Sequence, residues 1–257
     1  MHPFFENLAE YITEPLFLKE FAIKYHYDEE QNETLARVAR KMQECILADI
    51  RDGKAVWNAG NIAQDAGGSA AGGGVDGRCP ESVAADGGVD AQTPGMCCPV
   101  CITLGSGVDC LQDRYLEEKL LTEAYMIETL GSELLLKAYP QWNAWVASGD
   151  KYLVRRYHFL GSSPEYPITD LPALLEKLQM PVVCTEAYCM IPKKSVAFYA
   201  ELVDAHTAGI TECEGICAGC GRKDCENRME KMSSGNYVAD MTDRPFTYGY
   251  QRIFGIR

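Results

Sequence analysis

Between Glu33 and Leu47, apolar residues return every three or four positions. Leu35, Val38, Met42, Cys45 and Ile46 make one stripe, with Arg37, Arg40, Lys41 and Glu44 on the other side. That spacing predicts an amphipathic helix packed by one face. Phe17 to Tyr27 is a weaker helical stretch. The pattern stops at Asn58. From there to Gly95 glycine and alanine dominate, and a short duplication occurs (Ala70 to Asp76, echoed by Ala84 to Asp90). A segment with so few large apolar side chains cannot offset its ordering entropy by burial, so it is expected to be a mobile, dispensable insertion.

Pattern resumes at Pro99. The β-branched run Val100-Cys101-Ile102-Thr103-Leu104, closed by Gly105, predicts a buried strand. Cys98 and Cys101 have C-x-x-C spacing, but Cys101 falls inside the apolar run and reads as core filler. A long helical stretch runs from Val108 to about Trp145, with breaks expected near Tyr115 and Pro140; Leu116, Leu120, Leu121, Ala124, Ile127, Leu130, Leu134 and Leu135 form its apolar face. Tyr152 to Leu160 predicts a strand. Thr169 or Asp170 is placed to cap a helix through Leu178, with Pro172 in its first turn. Val182 to Ile191 and Ser195 to Leu202 read as paired strands around Pro192-Lys193-Lys194. Helices and strands mix without a β-α-β rhythm, which predicts an α+β fold. The expected organisation is an N-terminal helical segment at 1–57, the insertion at 58–95, a core at 96–211, a cysteine-rich loop at 212–228 and a tail at 229–257.

Charge narrows the function. Lys plus Arg total 24 against 37 Asp plus Glu among 257 residues, a formal net charge of -13. This argues against nucleic-acid partners, which need a basic footprint, and against docking on anionic lipid. No apolar run approaches the ~20 residues of a membrane span, and the N-terminus lacks signal-peptide character, so a cytoplasmic location is expected. In a reducing compartment clustered thiols read first as metal ligands or catalytic groups. Of 12 cysteines, Cys213, Cys217, Cys220 and Cys225 fall within one short loop. Four thiolates can surround an iron-sulfur cluster or a tetrahedral zinc. Gly215, Gly219 and Gly221 let the loop wrap a small centre, and Arg222, Lys223 and Arg228 partly offset its charge. The first three cysteines match the C-x3-C-x2-C of radical adenosylmethionine enzymes. Too little chain follows Cys220 for the barrel those enzymes need, and that reading is rejected. None of the histidines His2, His26, His158 and His206 sits in a hydrolase motif.

Three passages carry a resemblance: Thr103-Leu104-Gly105-Ser106-Gly107-Val108-Asp109; Cys184-Thr185-Glu186-Ala187-Tyr188-Cys189-Met190-Ile191-Pro192-Lys193-Lys194-Ser195-Val196; and Cys217-Ala218-Gly219-Cys220-Gly221-Arg222-Lys223-Asp224-Cys225-Glu226-Asn227-Arg228. In this order they resemble the stand-alone relatives, found mainly in anaerobic bacteria, of the activation domain of vitamin B12-dependent methionine synthase. The helical run Leu130-Gly131-Ser132-Glu133-Leu134 fits between the first two. The resemblance spans roughly Pro99 to Arg228. It implies a single-domain α+β fold with a twisted antiparallel sheet, a cobalamin-binding methyltransferase or corrinoid protein as partner, and a part in reductive reactivation of cob(II)alamin. In that reaction an electron donor reduces cobalt and S-adenosylmethionine traps the product by methylation. The low-potential electron favours a [4Fe-4S] cluster over zinc on the cysteine loop. The compact family motif begins at Cys217.

The family's adenosylmethionine signature is Arg-x-x-x-Gly-Tyr. Here Gly161 stands at the arginine position and Glu165 at the glycine position, and only Tyr166 matches, which makes S-adenosylmethionine binding doubtful. Arg155 and Arg156 lie just upstream, as substitutes or as solvated strand residues. A ligand cleft, if present, is expected beside Tyr166 and the strand carrying Glu186 and Tyr188, whose side chains face either the ligand or water. Glu133 is a further candidate for contacting a ligand amine. Pro192-Lys193-Lys194 is either a solvated turn or a cationic turn that meets an anionic corrinoid tail. The alternative function is a metal-binding electron-transfer or scaffold protein that keeps the fold without the ligand.

Overall fold

The structure, a computed structural model, describes residues 3–60 and 96–206. Residues 61–95, most of the expected insertion, and the cysteine loop with Cys213, Cys217, Cys220 and Cys225 lie outside the described residues.

Three helices open the chain: α1 (Pro3–Tyr11), α2 (Pro15–Lys24) and α3 (Glu29–Arg51). The sequence stripe is the buried face of α3, where Leu35, Val38, Met42 and Ile46 are at most 1% exposed. Its start is fixed by a capping box: the Asp28 carboxylate accepts the Gln31 N–H at 2.9 Å and the Gln31 side chain accepts the Asp28 N–H at 3.1 Å. Strand β1 (Val56–Ala59) follows, and then β2 (Met96–Thr103), α4 (Ser106–Glu117), α5 (Leu121–Ala147) and β3 (Tyr152–Phe159). A 3-10 turn (Ile168–Asp170), α6 (Leu171–Lys177), a short hairpin β4 (Val183–Cys184) and β5 (Met190–Ile191), and β6 (Ser195–Asp204) complete the order. The main sheet runs β1-β2-β6-β3, antiparallel throughout. Helices on an antiparallel sheet make this an α+β fold.

The pleat of β2 and β6 divides the core. Cys98, Val100 and Ile102 with Phe198, Ala200 and Leu202 face α1 to α5 and form the large core. Cys101 and Ala197 face the opposite way, where α6 covers them with Leu171, Leu174, Leu175 and Leu178. Cys101 is fully buried and its thiol is pushed up to about 12 by burial, as core filler should be. Cys98 and Cys101 point to opposite faces because three positions along a strand reverse the side chain, so their spacing makes no paired site.

Several expectations are corrected. The helical segment does not end the N-terminal part: β1 crosses the expected boundary at residue 58 and joins the sheet, with Asn58 Nδ2 donating to the Leu178 carbonyl at 2.7 Å. The long helix breaks at Glu118 to Leu120 rather than near Tyr115. Lys119 takes a left-handed φ of 62°, and the N–H groups of Lys119 and Leu120 return to the carbonyls of Leu116 and Tyr115 at 3.1 and 2.8 Å. That is a Schellman ending with lysine where glycine is usual. Pro140 does not break α5; it sits on the exposed side of a continuous helix. Asp170 stands at the start of α6 but makes no side-chain cap. Val182 to Ile191 does not pair with β6. β4 and β5 pair with each other, and β6 lies between β2 and β3.

Candidate functional site

The first site grows from the end of β2. Its last residues run through Gly105 into α4, so the strand must turn sharply. Gly105 takes φ 85°, and the Gly107 N–H, one of the unpaired donors at the start of α4, donates to Asp49 Oδ2 of α3 at 2.5 Å. The loop before β6 closes on the same place. Leu104 N–H donates to the Lys194 carbonyl at 2.9 Å, Lys193 N–H donates to Asp109 Oδ2 at 2.7 Å, and Ser195 Oγ lies 2.8 Å from Thr103 Oγ1. Lys194 is 5% exposed; its ammonium pairs with Glu128 and donates to Ser132 Oγ at 3.1 Å, both on α5. Gly131 lets it pass: a Cβ there would lie 3.0 Å from Lys194 Cδ and Cε. Lys193 pairs with Asp113 at 3.4 Å on the surface. The reading of Pro192-Lys193-Lys194 as a free cationic turn is therefore corrected. Both ammonium groups have partners within the chain, and one is buried.

The second site lies on the sheet face opposite the large core, beyond α6. Glu201 of β6 is 4% exposed. Its carboxylate pairs with Arg155 and has His158 Nε2 at 3.3 Å, both from β3. The Tyr166 ring lies against the His158 imidazole at 4.5 Å and 16°, and 5.5 Å from the Tyr199 ring. Its hydroxyl is 3.5 Å from the sulfur of Cys97, which is disulfide-bonded, so the tyrosine is the donor. Burial, then the Glu201 charge, pushes the Tyr166 hydroxyl up to about 12. For Glu201, burial raises the carboxyl, but the bonds and charges of His158 and Arg155 outweigh it and hold it below the ordinary range. Burial likewise raises Glu128, and Lys194, with Gln112, outweighs it in the same direction.

These directions fix a pH dependence. A carboxyl whose folded pKa is depressed stabilises the fold above its unfolded pKa of ~4.3, and that contribution fades as pH falls through the folded value. Urea unfolding is expected to show stability falling on the acid side below about pH 4. Glu201→Gln should cost about 1–3 kcal/mol at neutral pH and flatten that fall. An unchanged acid slope in the variant would remove Glu201 as its source.

Tyr166 is 7% exposed, and its ring is covered by His158 and Tyr199. Glu186 and Tyr188 are not alternating strand residues. They lie in a tight turn closed by the Tyr188 N–H donating to the Thr185 carbonyl at 2.9 Å, and Tyr188 has a left-handed φ of 58°. Glu186 is exposed, while Tyr188, like Tyr199, packs against the small core under α6. Glu133 is on the other side of the sheet, where it accepts from Lys24 Nζ at the end of α2 and from Tyr25 Oη just beyond it, each at 2.7 Å. Arg155 is tied to Glu201, and Arg156 is exposed. Glu165 does not need left-handed backbone; that conformation falls at Gly161, φ 82°. Among the described residues no cluster of three or more His, Cys, Asp or Glu side chains is arranged to hold a metal ion.

The sequence reading missed Glu201, His158 and Asp49. A charged residue at an inward position of the otherwise apolar β6 was the available signal for Glu201. Nothing local marks the other two.

No protein-family model matches the chain, and no curated protein matches it. Among solved structures, it is similar to a crystal structure of the MetH reactivation domain bound to AdoHcy, at 16% identity and a TM-score of 0.32. The match covers 43% of this chain and 40% of that one, so this chain spans well under half of that protein. Among the described residues, no helix is long and apolar enough to cross a membrane.

Proposed function

We propose that this protein assists the reductive activation of a corrinoid methyltransferase, a methionine synthase in the first instance. One observation supports the reading. The sequence passages that resemble the activation-domain family and lie within the described residues meet at one joint: Thr103 to Asp109, Leu130 to Leu134 and the end of Cys184 to Val196 share the contacts of Lys194, Asp109 and Thr103. Residues far apart in the chain that resemble one family and also hold one another are a coherent unit rather than scattered coincidences.

In this proposal Cys213, Cys217, Cys220 and Cys225 hold a [4Fe-4S] cluster, with zinc as the alternative. Such a cluster supplies single electrons at low potential. The partner is a cobalamin-binding protein that carries the corrinoid. S-adenosylmethionine is the weaker half, because Gly161 and Glu165 replace the signature arginine and glycine and Arg155 is committed to Glu201. That commitment favours, as the second reading, an electron-transfer or scaffold protein that has lost the methyl donor.

Isothermal titration against the cobalamin-binding protein of the same genome should give saturable binding; absence of binding rejects the corrinoid role. Titration with S-adenosylmethionine separates the two readings. Anaerobically purified protein should be brown, absorb broadly near ~400 nm and hold iron and sulfide in equal amounts. Colourless protein carrying one zinc would replace the cluster with a structural clasp.

A further inference from the structure

Cys45 of α3 and Cys110 of α4 belong to neither site described above. Both are free thiols, Cys45 half-buried and Cys110 exposed. The helices that carry them pack together. The approach is close because residue 107 is glycine: a Cβ at Gly107 would lie 3.2 Å from Cys45 Cβ and 3.3 Å from the Cys45 carbonyl oxygen. Gly107, Cys110 and Arg114 follow one another at helical spacing and share one strip of α4. Cys45 sits over the start of that strip and interacts electrostatically with both Cys110 and Arg114. The Lys54 ammonium, just beyond α3, interacts with Cys110 in turn.

The two thiols therefore differ in access and lie along one helix contact, where Cys45 meets the charges of Asp49, Arg114 and Glu44. Burial, followed by the charge of Asp49, raises the Cys45 thiol above its ordinary value, which suits a resolving thiol rather than the first attacker.

We propose that Cys45 and Cys110 form a dithiol modification site for small disulfides of the glutathione disulfide class, which close it into an α3–α4 disulfide. The Cys110 thiolate attacks one sulfur of the disulfide. A mixed disulfide forms on Cys110 and one small thiolate leaves. Cys45 then gives up its proton and attacks the Cys110 sulfur, and the second small thiol departs. Two protein thiols are oxidised and one small disulfide is reduced to two thiols, so atoms and electrons balance. Lys54, which is paired with Asp52 at 2.9 Å, and Arg114 are the cations that act on the pair. The bond would pin α3 to α4 one turn from the Asp49 and Gly107 contact.

The test treats the whole folded chain with glutathione disulfide, blocks remaining thiols by alkylation, and maps the proteolytic fragments by mass spectrometry. The expected product is the fragment pair joined through Cys45 and Cys110, cleaved by reductant. The Cys45→Ser variant should instead accumulate glutathione on Cys110, because the resolving thiol is gone. Glutathione that stays on Cys110 in the unsubstituted protein, or a Cys110 that pairs with another cysteine or does not react, would overturn the proposal.

Discussion

Replacing Gly105 with alanine is expected to cost at least about 3 kcal/mol of stability, among the largest single effects in the described part of the chain. Two terms add. An L side chain at φ 85° is strained by roughly 1–2 kcal/mol, and the new Cβ would run into Asp49, whose Cβ and Cγ lie 2.7 and 2.8 Å away. Asp49 is buried and cannot swing aside without releasing the Gly107 N–H it accepts. The two terms separate in a double-mutant cycle. Asp49→Ala alone should cost about 1–2 kcal/mol through the lost cap. In that background Gly105→Ala should cost only the backbone strain. Urea midpoints of the four proteins at constant m give the coupling. Purely additive effects would show that the carboxylate does not fill the space above Gly105.

Lys194 and Lys193 are neighbours in the chain and should behave as opposites. Lys194→Ala is expected to cost about 2–4 kcal/mol, because a buried side chain leaves its bonds to Glu128 and Ser132 and a void over Gly131. Lys194→Met, which keeps the stem, should cost less, since Glu128 is 45% exposed and can turn to water. Lys193→Ala should stay within about 0.5 kcal/mol; its pair with Asp113 is on the surface. Thermal unfolding of the three variants decides the matter. Equal small losses at both positions would return this segment to a solvated turn whose charges are available to a partner.

Much of the fold was legible because one local period generated it. The α3 stripe and the apolar core of β2 bury the residues their spacing assigns, and the mixed order of elements gives α+β. Helix ends were less legible. α2, α4 and α6 stop at His26, Lys119 and Gln179, each in left-handed backbone with φ 59°, 62° and 50°. Residues of these types carry no stop signal, and the neighbouring structure over-determines their strain. The candidate sites were hardest to read. Glu186 and Tyr188 alternate in sequence but fold into a turn, because β6 finds its partners in β2 and β3 and leaves the preceding segment to close on itself.

The sequence by itself determined the helix stripe of α3, the buried strand through Cys101, and the mixed class of the fold, because each follows from the period of neighbouring residues. Only the tertiary structure decided that Lys194 is buried on α5, that Glu133 is held by α2, that Glu201 gathers Arg155 and His158, and that Asp49 holds the turn into α4. Those partners lie between 43 and 109 positions apart in the chain. A charged residue looks the same in sequence whether it meets water or a distant counter-charge; which of the two it meets depends on sheet order and helix packing.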